Sequence, residues 1–158
     1  MIDTLTENTP LKGVLPKNDS KLVLKFIFGG NSIFTLKNSE TGNRFTFKVS
    51  CLKGEKGNLN TPYFVRVLTG SDVYTFIGTF FYMNGKWVYR HSNKAKVSKD
   101  AQSVKVIEYV INRLQTQTLT PIIDVWHEGR CGRCGRQLTV PESIEHGFGP
   151  ECFILINK

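Results

Sequence analysis

The sequence predicts an α+β fold: a small antiparallel β-meander sheet covered by one helix, with a cysteine-rich module at its C-terminal end. Three observations predict it. Six short segments between residues 21 and 91 are rich in β-branched and aromatic residues and are separated by glycine- and asparagine-bearing turns. Beyond residue 100 the apolar period lengthens from two to about 3.6. Three of the four cysteines fall between Cys131 and Cys152. The division that follows is a loose leader over residues 1–20, a sheet-plus-helix domain over 21–118 and the module over 119–158.

Taken in order, residues 1–20 hold Asn, Thr, Pro, Gly and Asp with few apolar positions. Lys21–Phe28 reads as a first strand, closed by the Gly29-Gly30-Asn31 turn, and Ser32–Leu36 as its return. Arg44–Cys51 is the clearest strand. Phe45, Phe47, Val49 and Cys51 alternate with Arg44, Thr46, Lys48 and Ser50, which puts an apolar row on one face and a cationic, hydroxylated row on the other. Lys53–Asn60 is a basic, glycine-rich loop. Tyr63–Leu68 and Val73–Tyr82 follow, and Gly78 marks a bulge or a close backbone approach. Asn84-Gly85 is a hairpin turn leading to Lys86–His91. Asp100–Gln117 is a helix with Val104, Ile107, Val110, Ile111 and Leu114 on one stripe, capped by Ser98 or Asp100. A sheet needs a covering layer, so this stripe is assigned to the sheet rather than to a partner.

The chain carries 21 Lys/Arg against 13 Asp/Glu, a net charge of +8. The excess is uneven: residues 1–100 hold 15 basic and seven acidic side chains, residues 101–158 six of each. A basic front half favours polyanions, nucleic acid first. No stretch has the length and apolarity of a membrane span, and the N-terminal residues lack an apolar signal core. The expected location is the cytoplasm, where thiols stay reduced and available to metal.

Cys131 and Cys134 form a C-x-x-C, each followed by Gly-Arg, and Cys152 follows in Gly-Phe-Gly-Pro-Glu-Cys. Two thiolates on a tight turn grip one face of a tetrahedral Zn²⁺, and a third closes in from a second segment. His127 is the preferred fourth ligand, because it places three donors on one short segment; His146 is the rival. A disulfide or buried free thiols are the alternatives, and a thioredoxin-like role lacks its βαβ context.

The run from Trp126 to Cys152 resembles an uncharacterised cysteine module of phage and bacterial proteins. Cys131, Gly132, Cys134, Gly135, Arg136, Leu138, Thr139, Pro141, Ser143, Ile144, Gly147, Gly149, Pro150 and Cys152 carry the resemblance. It implies a small metal-binding module of phage or mobile-element origin, and no reaction. The family's variability between Ile144 and Gly147 weighs against His146 as a ligand. Residues before about Leu119 lie outside it.

Catalysis is not expected. His127-Glu128 followed too soon by Cys131 fits neither the zinc-deaminase pattern nor H-E-x-x-H, and no P-loop, dinucleotide motif or nucleophile elbow is present. A closed Cys₃His zinc leaves no open position. The candidate nucleic-acid or partner contacts are Lys86, Trp87, Tyr89, Arg90, Lys94 and Lys96, where aromatics interleave with cations, and Arg130, Arg133 and Arg136 beside the thiolates. In the blander alternative Trp87 and Tyr89 face the core, and the three arginines offset the charge of the metal centre. The expected function is therefore non-enzymatic, zinc-dependent nucleic-acid binding. The competing expectation is a phage effector that binds and blocks a host protein, such as a defence nuclease or a polymerase.

Overall fold

A computed structural model describes residues 12–116 and 119–158 of the chain. The fold is α+β: one seven-stranded antiparallel sheet, helices packed on one of its faces, and a C-terminal helical region that carries the cysteines. The strands are β1 (Gly13–Val14), β2 (Asn31–Asn38), β3 (Arg44–Ser50), β4 (Tyr63–Gly70), β5 (Val73–Met83), β6 (Lys86–His91) and β7 (Ile123–His127). The helices are α1 (Ser20–Ile27), α2 (Gln102–Thr116), α3 (Pro141–His146) and α4 (Pro150–Ile156). The sheet order is β1-β7-β2-β3-β4-β5-β6.

The strand expected at Lys21–Phe28 is corrected to helix α1. Its eight residues do not alternate. Val23, Phe26 and Ile27 are buried at i, i+3, i+4 spacing, and Lys21 and Lys25 stand one turn apart on the outer side. The Asp19 carboxylate caps the start by accepting from the Leu22 N–H at 3.1 Å. Two helices, not one, therefore cover the sheet. Of the expected leader, residues 1–11 lie outside the described residues. Gly13 and Val14 pair with His127 and Trp126, and Leu15 is buried.

Other elements follow their sequence signals. In β3, Phe47 and Val49 are buried opposite Phe34 and Ser32 of β2. The Asn84-Gly85 turn has φ of 53° and 82°, the left-handed pair that a two-residue hairpin requires, and it fixes Met83 opposite Lys86. Gly78 sits at both a register shift and a close approach: a Cβ there would lie 2.4 Å from the Tyr89 hydroxyl and 2.6 Å from the Arg90 carbonyl oxygen. The α2 stripe of Val104, Ile107, Val110, Ile111 and Leu114 is buried as the period predicts.

β7 has no counterpart among the expected strands. It opens the C-terminal segment yet lies inside the sheet, with β1 on one side and β2 on the other. Ile123, Val125 and His127 point into the core, opposite Asn38, Leu36 and Phe34. The cysteine-bearing tail thus starts from an interior strand.

Candidate functional site

Past β7 the chain makes a small knuckle. Arg130 and Gln137 form an isolated antiparallel bridge, the Cys131 N–H donates to the Arg136 carbonyl at 2.8 Å, and the Gly135 N–H donates to the Cys131 carbonyl at 2.9 Å. Gly135 takes φ +78°, which an L side chain adopts only under strain. Gly132 lies against α1: a Cβ there would fall 2.6 Å from Phe26 Cδ1. The Gly132 carbonyl accepts from the Asn31 N–H at 3.0 Å, and its own N–H donates to the Gly147 carbonyl at 2.9 Å. The knuckle is therefore fastened to β2, α1 and α3 together. After α3 the chain turns through Gly147, packs the fully buried Phe148 edge-on to Phe26 at 5.8 Å, and enters α4, whose third residue is Cys152.

This folding brings the sulfurs of Cys131, Cys134 and Cys152 within 4.8 Å of one another. Thiolates about 2.3 Å from a tetrahedral ion stand roughly 3.8 Å apart, so the triad fits a metal of zinc's size. The Arg133 and Cys134 N–H groups point at the Cys131 sulfur at 3.4 and 3.5 Å. Burial raises the Cys131 pKa, but these N–H groups and that of Gly149 outweigh it, so the thiol ionises more readily than an ordinary cysteine. Cys152 is pushed up to about 11, first by burial and then by the neighbouring Cys131. A divalent ion between the sulfurs would favour the thiolate form of its ligands.

His127 is corrected out of the ligand set. Its Nδ1 accepts from the Gly129 N–H at 3.0 Å, and its Nε2 is in short contact with the Ile144 carbonyl oxygen, so that nitrogen carries the proton. Neither nitrogen has a lone pair to offer. The ring is 1 % exposed, lies 5.7 Å from the Phe26 ring, and a Cβ on Gly13 would approach its Nε2 to 2.7 Å. His146 is also apart from the triad: it stacks on Phe153 at 3.9 Å, and its Nδ1 faces the Phe148 N–H. Among the described residues no fourth His, Cys, Asp or Glu joins the three sulfurs.

Burial lowers the His127 pKa below its usual 6.5, against the opposing pull of the Ile144 carbonyl. The unfolded chain then takes up the proton first, so this histidine's contribution to stability is complete above about pH 6.5 and falls away as pH drops below it. A histidine-resolved NMR titration of the folded protein is expected to give His127 a midpoint below the usual 6.5. A midpoint at or above 6.5 would contradict this placement.

The expected contact residues are scattered. Trp87 is corrected from a stacking platform to a core residue: it is 7 % exposed, and its ring is stacked on Phe28 at 3.8 Å. Tyr89 also turns inward, 5.2 Å from Phe80, with its hydroxyl 2.8 Å from His91 Nδ1. Strand alternation is the reason, since 87 and 89 share the face that meets the helices. Lys86, Lys94, Lys96 and Arg136 are exposed. Arg130 approaches Glu128 at 3.7 Å and donates to the Gly135 carbonyl at 3.3 Å. Arg133 reaches the Cys152 sulfur at 4.0 Å, where its charge offsets that of a thiolate centre.

Arg90 is the exception, and around it lies a surface of which the sequence announces only the cationic, hydroxylated side of β3. It stands on the sheet face opposite the helices, 5.5 Å over the Phe81 ring. On that face Lys48, Arg66 and Phe76 stand in one cross-strand row, and Ser50, Phe64, Thr79 and Arg90 in the next. The Phe64 and Phe76 rings are 6.4 Å apart, and Phe76 is 36 % exposed. Lys48 and Arg66 are directly opposite one another, a like-charge pair that costs the sheet stability. Glu128 and Asp72 limit this field: Glu128, whose pKa is raised mainly by burial, senses both Asp72 and Lys48. Tyr63–Gly70 carries bulky side chains at odd and even positions alike, so only the sheet register separates Tyr63, Val65 and Val67 from Phe64 and Arg66.

No helix among the described residues is long and apolar enough to cross a membrane. Neither the curated proteins nor the solved structures contain a match to this chain. Residues 126–153, from the end of β7 through the knuckle to α4, match the model of a family of unknown function, DUF6011.

Proposed function

We propose that this is a non-enzymatic protein in which zinc fixes the C-terminal module and the sheet face opposite the helices binds single-stranded nucleic acid. The observation that carries the reading is the pair of cross-strand rows on β3–β6. Bases stack on exposed aromatic rings, phosphates pair with lysine and arginine, and a like-charge pair kept at a cost to the sheet is relieved when a polyanion lies between its members. Zinc is favoured because three soft thiolates on a knuckle and a helix suit it better than magnesium or calcium. The zinc-finger-like module acts here as architecture: it fastens β2, α1 and β7 and leaves recognition to the sheet. The phage or mobile-element origin rests on the module's resemblance alone.

The test is anisotropy of a labelled single-stranded oligonucleotide across a salt series. Wild type is expected to weaken steeply with salt. The double variant Lys48→Glu, Arg66→Glu is expected to bind at least about tenfold more weakly, with a log–log slope shallower by about 0.7 for each phosphate that is no longer neutralised. Equal binding and equal slope in the variant, or no binding by wild type at low salt, defeats the reading. The competing proposal, an inhibitor of a host protein, draws support from a cleft on the other side of the molecule.

A further inference from the structure

Between the end of α1, the loop around Lys56 and the end of α4 lies a cleft of about 550 Å³, on the helix side and away from the proposed nucleic-acid face. Its size is that of a ligand site rather than a packing defect. Lys25, Lys56, Arg133 and Lys158 line it, and no acidic side chain does. Lys25 donates to the neutral Asn157 side chain at 2.8 Å. None of the four cations is paired with a carboxylate among the described residues. Beside them lie Leu24, Leu59, Leu155 and Ile156, with Leu59 and Leu155 47 % and 44 % exposed. Cations without a carboxylate partner around an open aliphatic patch match an occupant that is acidic and carries an apolar anchor.

The aromatic geometry says which occupant. Trp87 lines the cleft, but one face of its ring is held by Phe28 at 3.8 Å and 8°, and Tyr63 and Tyr82 pack against it at 5.1 Å. With 7 % exposure it offers no free face to a base. The apolar part of the occupant must therefore sit on aliphatic side chains.

We infer that this cleft docks an acidic peptide segment of a partner protein, with an apolar side chain among Leu24, Leu59 and Leu155 and flanking carboxylates on Lys25, Lys56 and Arg133. Arg133 also approaches the Cys152 sulfur, so the wall of the cleft is continuous with the cysteine knuckle. This gives a protein partner a site of its own, whether or not the sheet binds nucleic acid.

The experiment uses the full chain and a short fluorescent peptide with a central leucine flanked by aspartates and glutamates. A second peptide has lysine in place of every acid. Expected is saturable binding of the acidic peptide only, weakened at least about tenfold by Lys56→Glu and by Leu59→Asp. Both positions are on a surface loop, and thermal unfolding checks that each variant folds. Lys48→Glu with Arg66→Glu, on the opposite face, is expected to leave peptide binding intact. The inference is overturned if the lysine peptide binds equally, if the acidic peptide does not bind, or if Lys56→Glu and Leu59→Asp change nothing. It is also overturned if a single-stranded oligonucleotide displaces the peptide from the Lys48→Glu, Arg66→Glu variant, which would assign the cleft to nucleic acid.

Discussion

Cys152→Ser is expected to purify without bound metal and to unfold about 10 °C or more below wild type. Removing a structural metal costs several kcal/mol, and a chain of this size loses roughly 2–4 °C per kcal/mol. The reason is where the third sulfur sits. Cys152 is the third residue of α4, whereas Cys131 and Cys134 sit on the knuckle after β7, and a shared ion would tie the two segments more firmly than the Arg133–Cys152 contact at 4.0 Å does. Metal analysis and thermal unfolding, both in a reducing buffer, check the result and separate a metal site from a disulfide. A variant with full metal content and an unchanged unfolding temperature would remove the triad from the fold's support.

His127→Ala is expected to behave in the opposite way on metal and the same way on stability. It should keep its zinc and lose about 2–4 kcal/mol of stability, because the imidazole is buried against Phe26, and its removal leaves a void and strands the Gly129 N–H and the Ile144 carbonyl oxygen without partners. Metal content measured where the variant is still folded decides between structure and ligation. A folded His127→Ala protein that has shed its zinc would return the histidine to the coordination sphere.

These two variants mark where the sequence was legible and where it was not. Cys131, Cys134 and Cys152 were readable because spacing and glycine content speak directly about a turn that presents sulfurs. The fourth position was not, because a histidine four residues from a cysteine looks the same whether its nitrogens face a metal or two backbone groups. His127 is the last residue of β7, and strand alternation, not metal, aims it inward. The α2 stripe and the Asn84-Gly85 hairpin were legible for the same reason as the cysteines: their signals are local. Lys21–Phe28 was misread because short apolar runs rich in Phe, Ile and Val suit a strand or a helix, and only the Asp19 cap and the Lys21/Lys25 spacing favour the helix. Of the Lys48–Arg66–Phe76 row only the cationic side of β3 could be read, since the row itself exists only once three strands are aligned.

The position of β7 has a consequence for how the molecule is made. Because the last strand in sequence is inserted between the first and the second, β2 waits for its outer neighbour, and β1 for any neighbour, until residues 123–127 have left the ribosome. The meander from β2 to β6 can assemble in sequence order, but its β2 edge stays open through most of synthesis. Closing that edge and delivering the cysteine knuckle to its place beside Phe26 are one event, so the sheet reaches its full width only when the tail arrives.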